Sequence, residues 1–203
     1  VEINALWYNA LKIMEVLSKK YEKLGKRILS KKYSQMAEEC KESFNKKFYN
    51  GRRKCLYDVI GDGKIRPNQL FSLALTYPVV DPSSEMAENI INVVEKKLLN
   101  NYGLKTLAKG EKNYVDIYEG DGFRRDASYH QGITWPWLLG LYYNSLRNMK
   151  AFEKDKEKKK AVATKIDEFK KRTEKTFRKE MNESGCIGSI SELYDSKTPY
   201  LPK

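Results

Sequence analysis

The chain has 203 residues, 40% of them hydrophobic and 33% charged, a balance that predicts one globular domain and excludes a disordered segment. No run approaches the ~20 apolar residues that span a bilayer, and no apolar signal segment opens the chain, so we expect no membrane association. Three cysteines without C-x-x-C spacing, Cys40, Cys55 and Cys186, favour neither a disulfide framework nor a zinc site. A reducing cytoplasm is the expected location.

The net charge of +12 raises the question of a nucleic-acid partner. Half of that surplus falls in residues 150–180, where thirteen Lys and Arg are interleaved with seven Asp and Glu. A mixed pattern of this kind is typical of a solvated helix face with pairs of opposite charge one turn apart. We therefore expect no nucleic-acid partner, and a basic helical nucleic-acid binder is an alternative without motif support.

Two helices are predicted at the start of the chain. The first has apolar residues at spacings of three and four and ends near Gly25, and the second runs from about Arg27 to Phe48 as an outer helix. The predicted apolar faces are Ile3, Leu6, Ala10, Met14, Leu17, Tyr21 and Leu24 in the first, and Tyr33, Met36, Cys40, Phe44 and Phe48 in the second.

A turn-rich region follows the second helix. Residues 55–60 are predicted to be extended, and the loop that contains Asp62 lacks the acidic alternation of a calcium loop, so no metal is expected. A polar cluster at residues 65–70 then leads into a short helix at residues 70–75. Within that cluster, Asn68 suits a helix cap as well as it suits a ligand contact.

The remaining helices alternate between inner and outer positions. Ser83 or Ser84 is predicted to cap a helix with Met86, Ile90, Val94 and Leu98 on one face. Residues 134–149 are apolar almost all round, which indicates a buried helix, whereas residues 155–179 carry one narrow stripe: Val162, Ile166, Phe169, Thr173 and Phe177. Alternating inner and outer helices predict an all-α arrangement of helical hairpins in a ring or an arc.

A long loop at residues 103–129 has no periodicity of its own, and long ordered loops in compact domains are usually functional. It leads into residues 121–137, which combine two arginines, two aspartates, the sole histidine and two of the three tryptophans. Aromatic rings beside forked polar side chains suit a ligand with flat apolar faces and hydroxyl groups, such as a sugar. The same residues would also suit a structural role, with Trp135 and Trp137 in the core and Arg125 paired with Asp126 in a loop.

A single carboxylate stands in a turn-rich segment near the end of the chain. Residues 185–195 place two glycines and two serines around Glu192. A carboxylate that faces a sugar's anomeric carbon can take a proton from attacking water, which is half of the chemistry of glycoside hydrolysis. On spacing alone, a surface glutamate is the better explanation of Glu192.

Four motifs together carry a family resemblance. V-E-I-N-A-L-W-Y-N at residues 1–9, R-P-N-Q-L at 66–70, R-D-A-S-Y-H-Q-G-I-T-W-P-W at 125–137 and G-S-I-S-E-L-Y-D at 188–195 occur in order. In this respect the chain resembles the C-terminal glucosidase domain of glycogen debranching enzymes. The resemblance implies an (α/α)6 barrel, of which residues 1–203 would be a later part truncated at both ends, and amylo-α-1,6-glucosidase activity with inversion at the anomeric carbon.

The resemblance also implies residue roles. Glu192 would be the general base, the general acid would be an Asp upstream of this chain, and no cofactor or metal would be needed. The remaining motif residues would line the sugar pocket: Glu2, Asn4, Trp7, Tyr8, Arg66, Asn68, Gln69, Arg125, Asp126, His130, Gln131, Trp135 and Trp137. Glu2 also suits a first helical turn as an acid favoured by the helix dipole.

Two departures from the family pattern matter. Asp195 is followed by Ser196 and Lys197 where the family usually has Gly-Asp, and the chain stops before a further inner helix. We expect the chain alone to be inactive for want of its general acid, and to self-associate through an uncovered apolar edge. The expected partner is glycogen or another branched α-glucan, and a non-catalytic α-glucan-binding or regulatory relative is the alternative.

Overall fold

The computed structural model describes residues 1–23 and 30–203, and within those ranges helices dominate. The α-helices are α1 (Glu2–Glu22), α2 (Ser30–Phe48), α3 (Phe71–Ala74), α4 (Glu85–Lys97), α5 (Gly122–Ser128), α6 (Leu138–Phe152) and α7 (Lys156–Glu183). The strands are β1 (Tyr49–Asn50), β2 (Cys55–Leu56), β3 (Leu104–Lys105) and β4 (Thr134–Trp135), and a 3-10 helix spans Pro67–Leu70. None of the described helices is both long and apolar enough to cross a membrane.

The buried face of α1 differs from the predicted one. Its core-facing residues are Ala5, Tyr8, Leu11, Glu15 and Ser18. The predicted stripe points outward, with Ile3 68% exposed, so that prediction was wrong. Glu15 takes a core-facing position, where its carboxylate is buried between Lys12 and Lys19, at 2.6 and 2.5 Å, and these hydrogen bonds lower its pKa. Because its charge is paired, Glu15 can occupy a core-facing position, although the apolar periodicity of α1 assigns it to the polar face. The predicted end of the helix, at Leu24 and Gly25, lies outside the described residues.

Helix α2 carries the predicted stripe towards the core. Phe44 and Phe48 are buried and stack with ring centroids 4.8 Å apart, and Tyr33, Met36 and Cys40 pack against the same core. The chain then turns into the antiparallel pair β1–β2, which contains the start of the predicted extended stretch. The predicted beginning of this helix at Arg27 lies outside the described residues.

Helices α4 and α7 begin at side-chain caps. Ser84 accepts a hydrogen bond from the Ala87 amide at the start of α4, as predicted, and Asp155 accepts one from Lys158 at the start of α7. Helix α7 packs its predicted stripe on α6, where Phe169 meets the Tyr142 ring edge-on at 5.0 Å.

The long loop is more ordered than its sequence suggests. Strand β3 pairs antiparallel with β4, matching Leu104 with Trp135, and α5 begins at the Asp121 cap, whose carboxylate accepts from Arg124. A helix of seven residues is too short to display an apolar period, so the absence of periodicity did not exclude it. Helix α6 begins at Leu138 rather than at the predicted Thr134, because Thr134 and Trp135 belong to strand β4.

The core is built by helix-on-helix packing. Helix α1 packs on α2 and α3, and α3 packs on α6, which in turn packs on α7. Asn148 on α6 holds the end of α3 by donating to the carbonyls of Leu73 and Leu75 at 2.7 and 2.9 Å. The predicted all-α class, as one segment of a helical toroid, is confirmed.

Candidate active site

The segment that carries Glu192 is attached to the β3–β4 pair. Tyr194 exchanges two backbone hydrogen bonds with Thr134, at 3.0 and 2.9 Å. Its neighbour Asp195 is buried, accepts from the Tyr118 amide at 2.8 Å and lies 3.1 Å from the ammonium of Lys203. Glu192 therefore projects from a backbone that is fixed on its C-terminal side.

Glu192 lines an open cavity of about 470 Å³. Its Oε2 accepts a hydrogen bond from the hydroxyl of Tyr129 at 2.8 Å. The residues that line this Glu192 cavity are Tyr118, Gly122, Arg125, Asp126, Tyr129, Glu192, Leu193 and Lys203. The cavity thus offers two carboxylates, two cations and two aromatic rings to a polar ligand.

Helix α5 supplies one wall of the Glu192 cavity. Gly122, Arg125, Asp126 and Tyr129 recur at spacings of three, one and three, so they share one side of the helix and its C-cap. The side chains of Arg125 and Asp126 are exposed. The helix therefore brings together the first two candidates of its motif beside Glu192.

Tyr129 is a site residue that the sequence did not single out. Its hydrogen bond to Glu192 raises the pKa of its phenol to about 12, because a phenol that donates to a carboxylate resists losing its proton. The signal was its place directly before His130, inside the motif that supplied more of the candidates than any other.

A second, smaller cavity of about 170 Å³ adjoins the first across an aromatic cluster. Trp135 packs edge-on against Tyr129 at 4.7 Å, stacks on His130 at 5.2 Å, and donates from its indole nitrogen to the Tyr129 carbonyl at 3.1 Å. The residues lining this Arg66 cavity are Arg66, Pro67, Asn68, Thr106, His130, Trp135, Trp137 and Leu138.

Two polar side chains of the Arg66 cavity, those of Arg66 and Asn68, are bonded to protein groups. The Arg66 guanidinium donates to the carbonyls of Thr106 and His130 at 3.0 and 2.7 Å, and to Gln131 Oε1 at 3.0 Å. Asn68 donates to Asp58 at 2.9 Å and lies within the 3-10 helix, whose N-cap is Arg66, so Asn68 is not its cap. These residues fix the backbone that presents His130.

Two glycines allow the segments to approach. Gly132 has φ +132°, and a Cβ there would lie 2.2 Å from the Val115 carbonyl oxygen. A Cβ at Gly103 would lie 2.4 Å from the Trp135 carbonyl oxygen. Both positions need glycine because the neighbouring backbone occupies the space of a side chain.

The remaining candidates lie elsewhere. Tyr8 is 5% exposed within the core, and Gln69, 1% exposed, accepts from the Leu56 amide at 3.3 Å and donates to the Arg66 carbonyl at 2.9 Å. Neither side chain lines the Glu192 cavity or the Arg66 cavity, so the stacking role of Tyr8 and the hydroxyl contact of Gln69 stay predictions. Asn4 and Trp7 line a third cavity, of about 460 Å³, with α2, and Glu2 lies half-buried on the first turn of α1.

Within the described residues, no group of three or more His, Cys, Asp or Glu side chains is arranged to hold a metal ion. The chemistry available in both cavities is that of carboxylates, cations, amides and aromatic rings.

This architecture is an all-α arrangement of packed helices with a carboxylate at an open cavity. A solved structure titled "Sialidase" matches 99% of this chain with a TM-score of 0.70 at 16% identity, and 17% of that structure's chain is covered. The present chain therefore spans about a sixth of that structure's length.

The chain belongs to the amylo-alpha-1,6-glucosidase family, which matches residues 1–203. The resemblance to the C-terminal domain of glycogen debranching enzymes, predicted from four motifs, is thereby confirmed, and the domain is of a glycoside hydrolase family.

Proposed function

We propose that this chain supplies the general base of a site that hydrolyses α-1,6-linked branch-point glucose during glycogen debranching in the cytoplasm. The observation that supports it is the position of Glu192, on the rim of a cavity shared with Arg125, Asp126 and Tyr129, in a chain of the amylo-alpha-1,6-glucosidase family. The substrate would be glycogen or another branched α-glucan.

The proposed reaction inverts the anomeric carbon. Glu192 takes a proton from water as the water oxygen bonds to that carbon, and the bond to the leaving oxygen breaks on the opposite face. A second carboxylic acid protonates the leaving oxygen, and by family resemblance it is an Asp upstream of residue 1. Glucose would leave as the β-anomer, and residues 1–203 alone would be inactive.

The neighbouring residues would bind the sugar. Arg125 and Asp126, exposed at the Glu192 cavity, would bond hydroxyl groups. Trp137, 58% exposed at the Arg66 cavity, would offer an aromatic face beside His130 and Trp135. An exposed tryptophan ring can stack on the apolar face of a sugar and so restrict the sugar's orientation.

The test is glucose release from a branched limit dextrin by the protein that contains this chain. Glu192→Gln should lower the rate by ~10²–10⁴-fold, because an acid–base group is lost while its size is kept. Glu183→Gln is the matched control, since Glu183 is an exposed glutamate on the last turn of α7. Proton NMR of the first product should detect β-glucose.

Two outcomes would contradict the proposal. A wild-type protein that binds maltooligosaccharide but releases no glucose would be a non-catalytic α-glucan-binding relative, the alternative function. Equal rates for wild type and Glu192→Gln would remove Glu192 as the base.

We also propose that residues 1–203 in isolation self-associate through the exposed stripe of α1, to which Ile3, Leu6, Met14, Leu17 and Tyr21 contribute. A contiguous apolar stripe in water favours association. Sedimentation velocity should find a dimer or larger species that Leu17→Glu shifts towards monomer.

A further inference from the structure

Helix α7 ends with a buried carboxylate. Glu180 is 3% exposed, and its Oε1 accepts no hydrogen bond from the described residues. Burial of a carboxylate with an unfilled acceptor carries a free-energy cost that surface glutamates on the same helix avoid. Its position therefore calls for a reason beyond the stability of the helix.

Glu180 lies beneath the turn that opens the Glu192 segment. Gly185, at φ +56°, crosses so closely that a Cβ there would lie 3.4 Å from Glu180 Oε1 and 3.3 Å from Ser191 Oγ. The same turn brings Glu180 close to Ser191, whose amide donates to the Tyr194 hydroxyl at 3.3 Å. Burial first, and then the negative charge of the nearby Glu180, raise the pKa of Tyr194 to about 12.

Tyr194 connects this carboxylate with the backbone on both sides of Glu192. Its hydroxyl accepts from the Ser191 amide at 3.3 Å, which leaves its own proton to donate towards Glu180. Its backbone pairs with Thr134, and its ring stacks on Tyr102 with centroids 4.6 Å apart. Glu192 thus stands between Ser191, whose amide is bonded to the Tyr194 hydroxyl, and Tyr194, whose backbone is bonded to Thr134.

We propose that Glu180 is a positioning residue for Glu192: its carboxylate orients the Tyr194 hydroxyl, which in turn holds the Ser191 amide and so the backbone that aims Glu192. The catalytic part of this inference rests on the proposed function. Glu180 touches no substrate, so its loss should lower the catalytic rate and leave substrate binding intact, since a base displaced by about 1 Å loses much of its effect.

The experiment compares four variants of the protein that contains this chain. Glu180→Ala should lower kcat for limit dextrin about 10- to 100-fold and leave KM unchanged within about twofold. Glu180→Gln keeps an acceptor for the Tyr194 hydroxyl and should recover most of the rate. Tyr194→Phe should resemble Glu180→Ala, and the double variant should be no worse than the poorer single one, because both break one chain of contacts.

The matched control is Glu183→Ala, which removes an exposed glutamate one turn away on the same helix and should leave kcat unchanged. Unchanged kcat in Glu180→Ala, or losses that multiply in the double variant, would overturn the proposal. If Glu180→Ala fails to fold, the comparison of Glu180→Gln with Tyr194→Phe decides instead, with Gln expected near wild type and Phe expected low.

A readout that needs no activity separates this inference from the proposed function. Hydrogen–deuterium exchange of residues 186–195 should be faster in Glu180→Ala and Tyr194→Phe than in wild type, and near wild type in Glu180→Gln. If exchange is faster in these variants but the wild type is inactive, the positioning role of Glu180 stands and the debranching proposal is wrong. If exchange is identical in all variants, the positioning role of Glu180 is wrong, whatever the activity.

Discussion

The Glu192 cavity and the Arg66 cavity contain similar residue types in different states of bonding. In the first, Arg125 and Asp126 are exposed on one side of α5. In the second, Arg66 is bonded to two carbonyls and to Gln131, and Asn68 is bonded to Asp58. The motifs that predicted one sugar pocket therefore contain two kinds of residue, those free to meet a ligand and those that shape the wall.

The difference follows from the elements that carry the two arginines. Arg125 stands on a short helix at the surface, where its own backbone is bonded within the helix. Arg66 precedes the 3-10 helix and points at the carbonyls of residues that loops leave unpaired. A partly buried carbonyl without a donor is costly, so a guanidinium that donates to the part-buried Thr106 carbonyl, as well as to the exposed His130 carbonyl, stabilises the wall rather than a ligand.

Gly132 lies between α5, which lines the Glu192 cavity, and strand β4, and its substitution should have the largest effect on stability. In Gly132→Ala the new Cβ would lie 2.2 Å from the Val115 carbonyl oxygen, at a φ that L-residues rarely adopt. We expect a loss of about 4 kcal/mol or more in the free energy of unfolding, measured by urea denaturation. Gly140→Ala is the control, because nothing lies within 4 Å of its Cβ on α6 and alanine is the better helix former. A loss below about 1 kcal/mol in Gly132→Ala would contradict the close approach.

Arg66→Met tests whether Arg66 stabilises the wall of its cavity rather than binding a ligand. It keeps the apolar stem but leaves the Thr106 and His130 carbonyls without their donor, so we expect a loss of about 2–3 kcal/mol in unfolding free energy. Arg178→Met is the control, since its ion pair with Glu174 is exposed and contributes little. If Arg66→Met instead kept full stability and lost only affinity for maltooligosaccharide, Arg66 would be a ligand contact and the contrast between the cavities would disappear.

Local patterns predicted the helices whose signals are local. The cap at Ser84, and the stripes of α2 and α7, depend on residues within one or two turns of each other. The face of α1 failed because the choice between two possible apolar stripes depends on what packs against them. Once Glu15 is paired with Lys12 and Lys19, a polar residue can occupy the buried face, and periodicity does not detect that pairing.

The sequence indicated which residue types the site contains, but not which of them line the Glu192 cavity and which are bonded to protein groups in the Arg66 cavity. Glu192, Arg125 and Asp126 were candidates and do line one cavity. The bonds that distinguish the second cavity join Arg66 to residues 40 to 65 positions away, and no local pattern indicates whether a guanidinium meets a carbonyl or a ligand. Helix α5 and Tyr129 were missed for a related reason, because a seven-residue helix shows no period and a tyrosine's role depends on its partner.

Tyr129→Phe tests the Glu192 cavity with the smallest change, the removal of one hydroxyl. The pKa of Tyr129 is raised to about 12 by its bond to Glu192, above the usual value of about 10. A raised pKa in the folded state means that this contact contributes its stability below about pH 10 and loses it as the pH rises towards about 12. The variant should therefore show less alkaline loss of stability than wild type between those values, in urea denaturation at successive pH.

Loss of a single hydrogen bond to the base should lower glucose release about 2- to 10-fold at neutral pH. Tyr21→Phe, at an exposed tyrosine of α1, should change neither quantity, and an alkaline profile identical to wild type in Tyr129→Phe would show that the phenol and Glu192 are not bonded in solution.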